Sequence, residues 1–447
     1  MNADNWDNKL TFRFEVLKTS YQDDVSIPLF DVIRLDRNNI GNFTQTGDTC
    51  FRFSQLVDQV FHYFDCLPEQ SEYNLQIESI KSENDRCYII PVAVAYQPND
   101  WTDHIKEKSI FEYINPVFLT DLQNKKSMLL IDQSVEGYHT AWLWEWFHKK
   151  CSLYNINPQA IIYVTGDQSS LDNYESWANK NNVDARINII PSTTLSFYIY
   201  KTYISRKLDI TFDKLLTYKK ENSDNLYLYD CINFRPRPQR IYNYLHLKNL
   251  RLLDYGNISV GDHPNWSINL SSQQLKKYRL PADIDTRIPP KKINQVNPTS
   301  SDRYWEFVER ILDNVYQNSW VSIITESSYF KYESSVFISE KTFKPISCMQ
   351  PFIIVGSKNS LKYLRKLGYK TFDGFIDESY DNLDDEDRFF AIALAIQKIK
   401  NIEDKAAWYE SMRPILEHNH KLFLSIGIAH STDVNLLTKY YSNYFKK

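Results

Sequence analysis

The chain has 447 residues, 43% of them hydrophobic and 24% charged, which predicts a globular protein of two or three domains. A formal net charge of −4 gives no global attraction to nucleic acid or anionic membrane. With only 10 glycines and neither G-x-G-x-x-G nor G-x-x-x-x-G-K-[ST], the chain lacks the glycine fingerprints of nucleotide binding. Six scattered cysteines without a C-x-x-C pair fit reduced thiols rather than a disulfide framework or a structural zinc site. The polar start lacks the apolar core of a signal peptide, and no run approaches the ~18–20 apolar residues of a membrane span, so a cytoplasmic protein is expected.

Residues 1–110 read as mixed and strand-rich, with LTFRFEVL alternating in period two and CYIIPVAVAY a short apolar run. From Ser127 the pattern is regular. SMLLID, AIIYVTGD and ARINIIPS are apolar strands; helices are predicted over Glu136 to Asn155 and over LDNYESWANKN between them. Apolar strands alternating with helices predict a parallel sheet covered on both faces, with the loops Asp132–Gly137 and Thr165–Gln168 at its carboxyl edge.

A charged connector runs from Thr202 to Asp224. A second series then follows: the strand NLYLYDCINF, the basic turn RPRPQR, the helix IYNYLHLKNLRLL and a Pro, Ser and Asn-rich excursion over 281–301. Next come the helix DRYWEFVERILDNVYQ, the strand WVSIITES, the helix EKTFKPISCM, the strand PFIIVG and the helix SLKYLRKLG. The acidic run Asp373 to Asp387 reads as a solvated loop, and the last sixty residues are helical by pattern. The predicted plan is an N-terminal α/β domain over 1–215, a Rossmann-like domain over 216–386 and a helical tail over 387–447. Two Rossmann-like halves facing a cleft are the architecture called GT-B. Aromatics at 15%, with 31 Tyr and 25 Phe, are read mainly as core packing.

The most informative segment is ITESSYFKYESSVFISEKTFKPISCMQPFIIVG, Ile323 to Gly356. Ser339 stands where the helix beginning at Glu340 needs an N-cap, and free N–H groups there favour an anion such as a diphosphate. Lys341 and Lys344 lie three apart on one helical face, so both ammonium groups can approach one ligand. Glu326 or Glu340 is suited to accept hydrogen bonds from ribose or sugar hydroxyls.

This segment resembles the donor-binding region of the α1,3-fucosyltransferase family and its GT-B relatives. That family carries Glu-Asn-Ser, then Tyr-Val-Thr-Glu-Lys, then a helix and a strand entered by Pro. Here Glu326-Ser327-Ser328, Phe337-Ile338-Ser339-Glu340-Lys341 and Gln350-Pro351-Phe352-Ile353-Ile354 stand in those places. Phe337 replaces the Tyr, Ser327 replaces the Asn, and the intervening loop is longer. The resemblance implies that Glu340 binds ribose or sugar hydroxyls and that Lys341 contacts the diphosphate. In the same family the first donor-domain strand ends in Ser-Asn and an Arg follows at the next helix. Asn233 and Arg240 match those positions, with Arg235 and Arg237 in the proline-stiffened turn between them. An Arg there can fork onto a diphosphate and stabilise the charge on the leaving nucleotide without a metal.

Asp283-Ile284-Asp285 has the letters of a metal-binding Asp-x-Asp but follows no apolar strand, so no metal is expected. An inverting transfer needs a base for the acceptor hydroxyl. Asp132 and Glu136 are the best placed in the N-terminal half, with His139 a third option; Glu136 is equally read as a first-turn helix carboxylate. The expected function is transfer from a GDP- or UDP-linked sugar, with no other cofactor, to a glycan or small hydroxyl acceptor. Two alternatives are a transferase acting on modified DNA bases along the basic stretch Lys201 to Lys292, and a catalytically silent nucleotide-binding or structural protein.

Overall fold

The computed structural model describes residues 11–12, 76–77, 88–93, 102, 109–114, 116–134, 136–137, 142–233, 235–260, 268–288, 310–330, 335–425, 436–437 and 439–445. The chain forms two compact units, Met1–Thr194 with Gly427–Lys447, and Leu195–Ile426. This division differs from the expected plan. The second unit opens at Leu195 rather than 216, and the end of the chain, helical at the described positions over 436–445 as expected, returns to the first unit.

The first unit is built on a six-stranded sheet in the order β2-β1-β3-β4-β5-β6, parallel at every pairing among the described residues. The strands are β1 Thr11–Phe12, β2 Gln76–Ile77, β3 Tyr88–Ala93, β4 Ser127–Gln133, β5 Ile161–Thr165 and β6 Asn188–Pro191. The rest of the strand-rich expectation for 1–110 lies largely outside the described residues. The sheet is covered by helices because its strands are apolar on both faces, as parallel strands must be. Helix Leu143–Leu153 buries Leu143, Trp144, Trp146 and Phe147, and Trp144 meets Tyr163 and Tyr174 edge-on. On the other face Leu437 and Tyr441 pack with Met128, Leu130, Ile162 and Ile190, which is why the chain's end belongs here.

The second unit holds a four-stranded parallel sheet, β10-β9-β7-β8, made of β7 Tyr227–Asn233, β8 Gly256–Val260, β9 Ser319–Thr325 and β10 Phe352–Val355. Every residue of β9 and β10 is buried. From β7 the chain crosses through helix Pro238–Asn249 to β8 on one side, then returns to place β9 on the other. The direction of winding therefore reverses between β7 and β9. In open parallel sheets the crevice beyond the carboxyl ends of such a strand pair is where ligands bind.

Two local expectations are corrected. The helix predicted over DRYWEFVERILDNVYQ is present only as Asp313–Gln317: Arg310 to Leu312 are non-helical, and 302–309 lie outside the described residues. The acidic run after Asp373 is not simply solvated. Asp381 is buried and accepts from the backbone N–H of Leu361 and Lys362 at 3.0 and 3.2 Å, capping helix Ser360–Lys366. Within the stretch predicted helical at the end of the chain, Asp385–Lys400, Lys405–Ser411 and Arg413–Leu424 are helices of the second unit, and the described positions over 436–445 are helical in the first.

Candidate functional site

The carboxyl ends of β7 and β9 are locked together. Thr325 donates its hydroxyl to Asn233 Oδ1 at 2.7 Å, and the Asn233 amide reaches Cys231 Sγ at 3.3 Å. Asn233 is thus committed to joining the two strands at the switch point.

Past β7 the proline at the first position of helix Pro238–Asn249 sets the turn. Arg237 is its N-cap residue and donates from Nη1 to the Ser327 carbonyl at 3.2 Å, while Gln239 Nε2 donates to the Glu326 and Ser327 carbonyls at 2.9 Å each. These contacts hold the loop after β9 against the start of the helix. Arg240, 5% exposed, turns inward instead. Its Nη1 donates to the Arg235 carbonyl at 2.7 Å, and its Nε has no hydrogen-bond partner among the described residues. Burial and the neighbouring Arg237 charge pull its pKa down to about 10, so the guanidinium is still charged at neutral pH.

Beyond β9, helix Glu340–Ser347 begins as predicted with Ser339 as N-cap, its Oγ accepting from the Lys341 N–H at 3.3 Å. Glu326 is 1% exposed and holds this cap rather than facing a ligand. Its Oε1 accepts from the Ser339 N–H at 3.0 Å and the Thr342 hydroxyl at 2.7 Å, and Oε2 accepts the Ser339 hydroxyl. Lys341 Nζ reaches Glu340 Oε1 at 2.7 Å and Ser339 Oγ at 3.0 Å. Burial pushes the Glu340 carboxyl pKa up, but the Lys341 and Lys344 charges outweigh it and the net direction is down. Glu340 is therefore an ionised acceptor.

Arg240, Glu340, Lys341 and Lys344 converge on one pocket, whose wall also includes Asp230, Ile232, Leu312 and Tyr316. Sequence reasoning foresaw the four charged residues. It missed Tyr316, buried in what was read as a long helix, and Asp230, the one acidic side chain within the apolar strand β7. An isolated carboxylate in a buried strand is a signal in itself, because such groups are rarely buried without a reason.

Asp230 belongs to a buried network. Its Oδ2 accepts the hydroxyls of Ser319 and Ser322 at 2.6 Å each. Lys219, fully buried, donates to the carbonyls of Ser319, Tyr316 and Gln317 and lies 5.0 Å from the Tyr409 ring centroid. Burial raises the Asp230 carboxyl to about 7 and lowers the Lys219 ammonium to about 7, each partly offset by attraction to the other.

In the first unit, Asp132 ends β4 half-buried, accepting from the Ser134 N–H at 2.9 Å, and burial raises its pKa. Glu136 and Gly137 are not helical; the helix starts at Leu143, so the first-turn reading of Glu136 does not hold. Instead the Glu136 carbonyl accepts from Gly166 N–H at 3.0 Å, tying the loop after β4 to the loop after β5. Both loops lie at the sheet's carboxyl edge, as predicted. His139 is outside the described residues.

Asp285 of the Asp-Ile-Asp sequence pairs with Arg287 at 2.9 Å and Lys248 at 3.7 Å. Among the described residues of the basic stretch, Arg206, Lys220, Lys277 and Arg279 pair with Asp313, Glu410, Glu386 and Asp387. No described helix is long and apolar enough to cross a membrane.

No protein-family model and no curated protein matches the chain. Among solved structures it is similar to one described as trehalose-6-phosphate from E. coli bound with UDP-2-fluoro glucose, at 10% identity and a TM-score of 0.39, over 89% of this chain and 79% of that one. It is also similar to α,α-trehalose 6-phosphate synthase from Burkholderia multivorans, at 8% identity and a TM-score of 0.37, over 79% and 73% of the two chains. What the pocket can do is read from its own residues.

Proposed function

We propose that the chain is a glycosyltransferase that binds a nucleoside diphosphate sugar in the second unit and transfers the sugar to a hydroxyl acceptor. The observation that carries this is the convergence of the buried Arg240, with its unpartnered Nε, and of Lys341 and Lys344 on one pocket beside the N-terminus of helix Glu340–Ser347. Three cations and a positive helix end favour a polyanion. Arg240 cannot be an inert surface arginine, because a buried donor left unpaired costs about 1–3 kcal/mol that a bound oxyanion would recover.

The chemistry follows from charge. When the sugar–phosphate bond breaks, negative charge grows on the departing diphosphate, and cations already held in place stabilise it without reorganising. Glu340, kept ionised by Lys341 and Lys344, accepts hydrogen bonds from ribose or sugar hydroxyls. The resemblance to α1,3-fucosyltransferases in Ile323 to Gly356 supports a GDP- or UDP-linked donor and an inverting, metal-independent transfer. Asp132 is proposed as the base for the acceptor hydroxyl, since burial raises its pKa toward the range where a carboxylate can take a proton; Glu136 is its neighbour on the same edge. Arg206, Lys220, Lys277 and Arg279 of the basic stretch are engaged by carboxylates, which weighs toward a glycan or small-molecule acceptor over DNA.

The test is isothermal titration with GDP- and UDP-sugars in EDTA, followed by assay of sugar release and transfer. Metal-free binding with turnover supports the reading, whereas absence of binding to either donor series sinks it.

A further inference from the structure

Part of the pocket wall carries no cation. Asp230 and Tyr316 both line it and are 2% and 5% exposed. Asp230 Oδ2 is taken by the Ser319 and Ser322 hydroxyls, but Oδ1 accepts from no other described residue. The Tyr316 hydroxyl likewise bonds to no described residue; Lys219 takes only its backbone carbonyl. These are a carboxylate acceptor and a phenol that both donates and accepts, held on β7 and on helix Asp313–Gln317.

Such a pair suits a neutral hydroxylated ring. A carboxylate repels phosphate, so a diphosphate belongs with Arg240, Lys341 and Lys344, while the ring attached to it meets Asp230. Ring hydroxyls would give both pocket-lining atoms a partner, each such hydrogen bond contributing about 0.5–1.5 kcal/mol net. The subsite is also held rigidly: Ser319 bonds Asp230 through its hydroxyl and Lys219 through its carbonyl.

We propose that Asp230 and Tyr316 form a sugar-reading subsite, in which Asp230 Oδ1 accepts from, and the Tyr316 hydroxyl exchanges hydrogen bonds with, hydroxyls of the pentose or hexose carried by the diphosphate. This rests on the donor-site reading. It makes the two residues determinants of which donor is accepted, because a site built to pair hydroxyls rejects ligands that lack them.

The experiment is isothermal titration of wild type, Tyr316→Phe and Asp230→Asn with inorganic pyrophosphate, UDP, UDP-glucose, GDP and GDP-fucose, with melting curves for each protein. In the series that wild type binds, each variant should lose about tenfold in affinity, the effect of one hydrogen bond to a buried partner, with pyrophosphate affinity unchanged. A loss already present with the free nucleoside diphosphate identifies the ring as ribose; a loss confined to the nucleotide sugar identifies the transferred hexose. Unchanged nucleotide and nucleotide-sugar affinities in the variants overturn the subsite and leave the donor site standing, and an equal loss for pyrophosphate overturns it too. A wild type that binds no probe overturns both. If Asp230→Asn fails to fold, Tyr316→Phe, which removes one oxygen and no charge, decides alone.

Discussion

Glu326 and Ser339 are joined twice, side chain to backbone and side chain to side chain, across thirteen positions of sequence. The carboxylate at the end of β9 is thereby the support for the N-cap of the helix that carries Glu340, Lys341 and Lys344. Glu326→Gln keeps the shape but turns an amide toward hydroxyl and N–H donors. It should lower stability by about 1–3 kcal/mol, the cost of unpaired buried donors. Urea unfolding checks this, and donor affinity should fall with it because the cap and its lysines shift together.

Arg240 separates binding from folding. Among the described residues no carboxylate forms a salt bridge with Arg240, so an apolar chain of similar length in its place strands no buried counter-charge. Arg240→Met should therefore melt no lower than wild type and yet lose at least about tenfold in donor affinity, since hydrogen bonds to a charged group contribute about 1.5–3 kcal/mol. A large drop in melting temperature with donor binding intact would make Arg240 structural.

The Lys219–Asp230 network gives stability a definite pH signature. Asp230 has a folded pKa raised to about 7, so the stability it contributes is full at acid pH and lost as pH rises through that value. Lys219 has a folded pKa lowered to about 7, so its unfavourable buried charge is relieved only as pH rises from there toward its ordinary range. The two slopes oppose each other, and the network's contribution is smallest near neutrality. Subtracting the unfolding free energies of Lys219→Met/Asp230→Asn from those of wild type, from pH 5 to 9, should give a difference with its minimum near pH 7. A flat difference contradicts the assignment.

Asp381 offers a control away from the pocket. Asp381→Asn removes one of two acceptors from the start of helix Ser360–Lys366 and should cost about 0.5–2 kcal/mol, the range for helix caps. Donor affinity at a temperature where the variant is folded should be unaffected.

Much of this was legible in the residues. Most strands of both sheets were visible because parallel strands buried on two faces are continuous apolar runs, whereas Gln76–Ile77 and Gly256–Val260, too short or too polar to stand out, were not; Ser339 was visible because caps are local chemistry. Arg240, Lys341 and Lys344 were singled out by their place beside predicted helix starts together with the family resemblance, and the structure puts all three on one pocket. What sequence hid was non-local. Nothing near Glu326 reveals that Ser339 and Thr342 fold back onto it, so it resembled a ligand-facing carboxylate. Asn233 likewise looked available until Thr325 took its amide oxygen. Tyr316 was lost inside a helical periodicity that continues through Arg310 to Leu312 although the chain there is not helical. The return of Leu437 and Tyr441 to the first unit depends on a packing face made of Met128, Leu130, Ile162 and Ile190, far away in sequence, which no local pattern records.

The most direct test is thermal unfolding of wild type and Lys341→Ala with GDP, UDP, ADP, dTDP and CMP, in EDTA. The account predicts that one nucleoside diphosphate stabilises wild type, by about 2.7 kcal/mol at a hundredfold excess over its Kd, and that Lys341→Ala abolishes most of the shift. No shift with any nucleotide, or an equal shift in Lys341→Ala, would contradict it.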